Sequence, residues 1–307
     1  MFDVLREGLR QVAEDLRPVS QSSFISLVKM SNDHGIEVEL NIYRDGRVRE
    51  AQSEVVTTRP KITVYRRGSA NGVMPVTPST EHLLSPRERF SVAHELGHLF
   101  AYRRFDVRPL LRQKSPKEYR TQERCMDEFA AILLVPDWLA RRWLHDAPKC
   151  EAVSLSSIEN WAFKYCGVSR EVITRSLTRV DPDIGFMKVG SATRIKCGDR
   201  LLIVYDSVMG ASLRLPKQHS FIDDQCVVSQ ITKSSGNCTI DASHLGDDKG
   251  RNLNVSWRSS RVSTVNNRKE FASTVKLLGY GYWLSIRSTF NELERSRDQA
   301  KQLDLGV

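Results

Sequence analysis

The run His94-Glu95-Leu96-Gly97-His98 sets two imidazoles four residues apart with a carboxylate between them. On a helix, positions i and i+4 share a face, so both histidines can reach one metal ion. Neutral imidazoles bind Zn²⁺ without cancelling its charge, which lets the metal draw the pKa of a bound water towards ~7. Glu95 is then placed to accept the proton and return it to a leaving group. The chemistry implied is metal-assisted hydrolysis of a peptide bond.

A catalytic zinc needs a third protein ligand and an open position. An HExxHxxGxxH arrangement is excluded, because positions 101 and 104 hold Ala101 and Arg104. The other solution draws a carboxylate from a following helix, and the next helical segment offers Glu118, Glu123, Asp127 and Glu128. Glu123 and Asp127 are four apart and share a face, so one can bind metal while the other hydrogen-bonds a ligand histidine. Spacing alone does not rank them. His82, Tyr102 and Tyr119 are the nearby candidates for an oxyanion donor. Cys125, two positions from Glu123, should face away from the metal as a buried, inert thiol.

These groups need two rigid helices. Ser85-Pro86-Arg87-Glu88 combines an N-cap serine, a proline at the first helical position and a glutamate three residues after the cap, so a helix starts there. Phe90, Ala93, Leu96, Leu99 and Phe100 supply its apolar contacts. A loop with Pro109 and Pro116 follows, then a second helix from about 118 to Val135, stopped by Pro136. Upstream, Val4, Leu5, Leu9, Val12 and Leu16 predict a helix ended by Pro18, a second helix covers 21 to 33, and IEVELNIY and PKITVYRR read as strands, with Asn71-Gly72, Pro75 and Pro78 marking loop. Downstream, a helix covers 137 to 145, and two short helices flank Cys166-Gly167-Val168-Ser169, with Ser169 as cap, in helix-turn-helix proportions. Beyond Asp181-Pro182-Asp183 the segments TRIKC, RLLIVYDS, CVVSQITK, NCTIDASH and LNVSWRS alternate as strands, and NELERSRDQAKQL reads as a charged terminal helix.

The run RFSVAHELGHLFAYRR followed by ERCMDEFAAILLVP resembles the ImmA/IrrE type of zinc metallopeptidase, whose members show HELGH and then a segment close to EREANxFAAELLMP. In that pattern the glutamate thirteen residues before the proline is the third ligand, and counting back from Pro136 gives Glu123. The resemblance thus implies zinc held by His94, His98 and Glu123, with Glu95 as catalytic base. Asp127 takes the place usually held by asparagine, and Cys125 replaces the second acidic residue. VSREVITRSL is similar to the VSxxAVxxRL helix of such proteins, and 183 to 307 matches no motif of theirs. The family resemblance also implies a biology: cleavage of a partner helix-turn-helix repressor after DNA damage or another stress, in mobile-element, radiation-response or antiphage regulation.

The chain has 307 residues, 40% hydrophobic and 27% charged. That excludes disordered and collagen-like classes. No window has the roughly 18 apolar residues of a membrane helix, the start MFDVLREGLRQVAEDL is an amphipathic helix rather than a signal peptide, and six cysteines lack any CxxC pair. A cytoplasmic protein with free thiols and no membrane partner is expected. The net charge of +9 suits an anionic partner. It concentrates between the two ligand helices, where Arg103, Arg104, Arg108, Arg112, Lys114, Lys117, Arg120 and Arg124 face only Asp106, Glu118 and Glu123. A second cluster comprises Arg251, Arg258, Arg261, Arg268, Lys269 and Lys276, with Trp257 interleaved for base stacking. Single-stranded or damaged DNA is the activator these clusters suggest. The expected architecture is α+β: a zincin-like metallopeptidase domain over 1–150, a helical, helix-turn-helix-like segment over 151–182, and a β-rich, GAF-like sensory domain over 183–307. Two rivals stand beside the repressor-cleaving enzyme: a non-proteolytic DNA-binding regulator or antirepressor with structural zinc, and a toxin-like general metallopeptidase.

Overall fold

Leu5, Leu9, Val12 and Ala13 become the buried stripe of the first helix, α1 (Phe2–Asp15). The computed structural model describes residues 2–17, 24–43, 51–54, 60–69, 71–104, 115–146, 152–218, 220–232, 235–245, 252–260 and 275–289. Two compact units emerge, one from Met1–Ala140 with Asn160–Ser176, the other from Arg141–Glu159 with Leu177–Val307. The class is mixed α+β.

In the first unit, α2 (Leu27–Asp33) starts where the Ser26 hydroxyl accepts the Lys29 N–H. Four strands follow: β1 (Glu37–Tyr43), β2 (Ala51–Glu54), β3 (Lys61–Arg67) and β4 (Gly72–Pro75). They pair in the order β2-β3-β1-β4, with β1 and β3 parallel and the two edge strands antiparallel to their neighbours. Val38 and Leu40 turn inward while Glu37 stays exposed, the alternation of a half-buried strand. The Gly and Pro punctuation that reads as loop brackets β4 instead. Pro75 is tolerated there because β4 is an edge strand.

The two long helices are α3 (Pro86–Arg104) and α4 (Pro116–Leu134). Both open with the same four-residue device. In α3, Glu88 N–H meets Ser85 Oγ at 3.3 Å and Ser85 N–H meets Glu88 Oε2 at 2.7 Å; in α4, Ser115 and Glu118 exchange the same bonds at 3.3 and 2.9 Å. The Ser115-Pro116-Lys117-Glu118 box therefore starts α4 two residues before the expected position.

The first turn of α3 is tied down twice. Arg66 of β3 grips Glu88 with two bonds, Nε to Oε1 at 2.7 Å and Nη2 to Oε2 at 2.6 Å. Arg89 pairs with Glu81, which lies in a 3-10 turn (Glu81–Leu83), and the two are only 3% and 2% exposed. Glu81 also accepts the Ser26 hydroxyl at 2.5 Å and the N–H groups of Leu27 at 2.9 Å and Val28 at 3.3 Å. Leu96, Leu99 and Phe100 of α3 and Met126, Phe129, Ile132 and Leu133 of α4 are buried in the core of this unit, with α1 packed on both helices.

After Pro136 come α5 (Asp137–His145), α6 (Leu155–Asn160) and a π-helical turn (Trp161–Cys166) closed by Gly167 at φ 59. In α7 (Arg170–Val180), Val172 N–H meets Ser169 Oγ at 3.4 Å, the cap the sequence predicts. This helix buries Val172, Ile173, Thr174, Ser176, Leu177 and Thr178 and exposes Glu171 and Arg175.

In the second unit, β5 (Ile184–Arg194), β6 (Arg200–Met209), β7 (Phe221–Ile222), β8 (Ser235–Asp241), β9 (Asn252–Ser260) and β10 (Val275–Thr289) form an antiparallel sheet ordered β7-β6-β5-β10-β9-β8. Its core gathers Met187, Val189, Leu202, Val204, Leu253, Val255, Leu284 and Ile286. Two expectations are corrected: TRIKC is not a strand of its own, since β5 ends at Arg194 and the chain turns over 195–197, and CVVSQITK is not a strand but carries α8 (Gln225–Ile231). The Asp224 carboxylate accepts the N–H groups of Cys226 and Val227 at 2.9 and 3.1 Å, which starts a helix, and Val227, Val228 and Ile231 then bury one helical face. NELERSRDQAKQL lies outside the described residues. Among the described residues, no helix is long and apolar enough to cross a membrane.

Candidate metal centre

α3 presents His94 and His98 on one face, and α4 brings Glu123 to it. His94 Nε2 lies 3.3 Å from Glu123 Oε2, His98 Nε2 lies 3.5 Å from Glu123 Oε1, and the two Nε2 atoms are 3.2 Å apart. One ligand atom from each of the three residues falls within 4.8 Å of the others. Two imidazole nitrogens and one carboxylate suit a divalent transition metal, zinc among them, and leave room for a fourth ligand. Of the four carboxylates that spacing offered, Glu123 is the one in this cluster. Glu118 closes the α4 capping box, and Glu128 pairs with Arg6 at 3.3 Å.

Asp127 does not join the cluster but meets His94 Nδ1 at 2.9 Å. That bond places the Nδ1 proton between His94 and Asp127 and turns Nε2 towards Glu123 and His98, as a carboxylate behind a metal-binding imidazole does. Glu95 is half-buried on the same turn, and its negative charge acts on His94. Cys125 is buried as expected, and burial raises its pKa. His82 is exposed, with Nδ1 2.8 Å from the Ser79 carbonyl oxygen, and Tyr119 is exposed in the first turn of α4.

Burial disfavours the charged form of His94, yet its hydrogen bonds to Asp127 and Glu123 outweigh this and raise its pKa to about 9. Burial likewise acts to raise the Glu123 pKa, but the His94 hydrogen bond and the nearby His98 charge bring it below the usual carboxylate value. For metal-free protein the sign follows. The folded pKa of His94 lies above the unfolded value of about 6.5, so its stabilising contribution is complete below about pH 6.5 and disappears as pH rises through about 9. A metal must also displace that proton. Zinc binding at pH 7.5 is expected to release about one proton at His94, giving a calorimetric enthalpy that varies with the ionisation enthalpy of the buffer. Asp127→Asn should diminish this release, and a heat independent of buffer would refute the assignment.

Of the basic residues proposed to meet DNA, Arg108, Arg112, Lys114, Arg251, Arg261, Arg268 and Lys269 lie outside the described residues. Arg103 donates to the His34 carbonyl oxygen at 2.9 Å, the Arg104 guanidinium sits 5.8 Å from the Phe100 ring centroid, and Arg258 bonds Glu159 at 2.9 Å. Lys117 is exposed within the α4 capping box. Trp257 is a correction: at 5% exposure it belongs to the core of the second unit and cannot stack on a base.

A helix bearing HExxH, joined at its metal face by a carboxylate from the next long helix and set beside a mixed sheet, defines a zincin-like metallopeptidase domain. Residues 80–178 match a peptidase family model described as the IrrE N-terminal-like domain. That part of the chain is similar to this family. The match begins at Thr80, next to Glu81, and includes both long helices. Among solved structures, a Mycobacterium tuberculosis transcriptional regulator is 12% identical and aligns with a TM-score of 0.50, covering 92% of this chain and 87% of that one. At that identity the likeness is one of fold. No curated protein matches the chain.

Proposed function

We propose that the protein is a zinc-dependent, site-specific endopeptidase that cleaves a partner helix-turn-helix repressor in response to DNA damage or another stress. The observation that carries the peptidase reading is the convergence of His94, His98 and Glu123 with Glu95 on the same helical turn. A purely structural zinc site would have no use for Glu95. When bound, zinc supplies an electrophile for the scissile carbonyl and acidifies the attacking water. Glu95 accepts the proton of that water and passes it to the departing amine nitrogen. Asp127 keeps the His94 proton on Nδ1, so that Nε2 remains a lone-pair donor.

The regulatory part of the reading rests on family likeness, and the structural neighbour, itself a transcriptional regulator, points the same way. The second unit, with β5 and β10 central in its antiparallel sheet and α8 on its apolar face, is the scaffold a GAF-like sensory role would use. DNA as activator, a helix-turn-helix role for α6 and α7, and a cytoplasmic location are parts of the same proposal. The decisive experiment mixes purified protein and zinc with the product of the adjacent gene, the substrate this reading expects to be a small helix-turn-helix protein. One discrete cut, abolished by a chelator and restored by zinc, is expected. Intact repressor with zinc present, or degradation of casein at a similar rate, would overturn it in favour of an antirepressor or a general peptidase. Oligonucleotide binding at low salt that weakens as salt rises would support the DNA component.

A further inference from the structure

Gly97 stands between the two ligand histidines and is buried against α4. A Cβ at this position would meet Phe129 Cδ1 at 3.0 Å, Met126 Sδ at 3.2 Å and Phe129 Cγ at 3.4 Å. Carbon contacts are normally most favourable near 3.5–4.0 Å. The two residues it would meet lie three and six positions beyond Glu123 on the same helix. A Cβ at 97 would therefore crowd the packing of α3 on α4 within two turns of the carboxylate that must cross between them.

Phe129 has little room to yield. It is 1% exposed, and its ring is 5.9 Å from that of Phe100, which in turn meets the His34 ring edge-on at 4.9 Å. Met126 is fully buried. A side chain at 97 would press Phe129 and Met126, and α4 with them, away from α3 by a few tenths of an ångström. His94 and His98 would travel together, being on one helix, whereas Glu123 would retreat from both. Metal coordination tolerates errors of only about 0.2 Å, so a displacement that a packed core survives is one a three-residue ligand set does not.

We propose that Gly97 is a positioning residue, whose missing side chain sets the helix separation at which Glu123 can share a metal with His94 and His98. The inference rests on the reading of that cluster as a metal site. It separates metal affinity from stability, because alanine favours a helix more than glycine does while filling the space that lets α4 come close enough for Glu123 to reach the histidines.

The test measures zinc affinity by competition with a chromophoric chelator, and the thermal midpoint in excess chelator, for the full-length chain, Gly97→Ala, Phe129→Leu and the double variant. Gly97→Ala should bind zinc about 10–100-fold more weakly, the range seen when support of a ligand is lost. Its Co²⁺ form should show weaker visible d–d bands as the tetrahedral set loosens. Adding Phe129→Leu, which removes the obstructing ring, should recover most of that affinity. Wild-type zinc affinity in Gly97→Ala, whatever its thermal midpoint, would overturn the proposal, as would a loss that Phe129→Leu leaves unchanged. If the unaltered chain binds no zinc, the metal-site reading falls and takes this inference with it, an outcome distinct from the other two.

Discussion

Glu95→Gln is expected to leave zinc binding intact and to lower the cleavage rate by about 10³–10⁴, the upper part of the range for loss of a general base. The amide is nearly isosteric with the carboxylate, but it cannot take the proton of the attacking water. Glu95 is not one of the three residues that could hold the metal, so the coordinating atoms are unchanged. The effect should therefore appear in kcat, with KM and metal content unchanged. Time-resolved gels of repressor cleavage with equal zinc loading measure it. Cleavage by Glu95→Gln at the wild-type rate would remove Glu95 from the chemistry. Release of uncut repressor from DNA equally well by both proteins would favour a non-proteolytic regulator.

The parts of this site legible in the sequence are those fixed by local spacing. His94 and His98 share a face because a helix repeats every 3.6 residues, and the Ser85 box marks where that helix begins. The same box recurs at Ser115, so the start of α4 was equally open to reading. The meeting of α3 and α4 is different, because it depends on packing between segments about thirty residues apart. Spacing left four acidic candidates, and only the family pattern singled out Glu123. Gly97 looks like filler in the motif until Phe129 and Met126 are placed against it. In the second unit, two adjacent valines in CVVSQITK serve a strand or a helix equally well, and the Asp224 cap was the discriminating signal. Trp257 was recoverable too. Leu253, Val255 and Trp257 alternate in one strand and all point into the core, while the Arg258 side chain is 58% exposed.

The anchorage of α3 should dominate stability, with unequal losses for the two buried partners. Glu81→Leu is expected to destabilise the protein by about 3–5 kcal/mol, the usual loss when one member of a buried pair is removed. It would leave the Arg89 guanidinium, 3% exposed, without its carboxylate, and would orphan the Ser26, Leu27 and Val28 donors at the start of α2. Burial already lowers the Arg89 pKa, with the Glu81 charge opposing that shift, so removing Glu81 moves it further down. Arg89→Met should be milder. Glu81 would keep its three donors from α2, while Arg89 would lose its bond to the Ile25 carbonyl oxygen at 2.7 Å and its place over the Phe24 ring at 4.4 Å. The double variant should lose less than the sum of the two, since no charge is then stranded. Urea denaturation in excess chelator measures all three without interference from metal binding. Equal losses for the single variants would show that the α2 donors contribute little. A fully additive double variant would show that Glu81 and Arg89 do not act as a pair, leaving Arg66 and Glu88 as the anchor that holds the HExxH helix to the sheet.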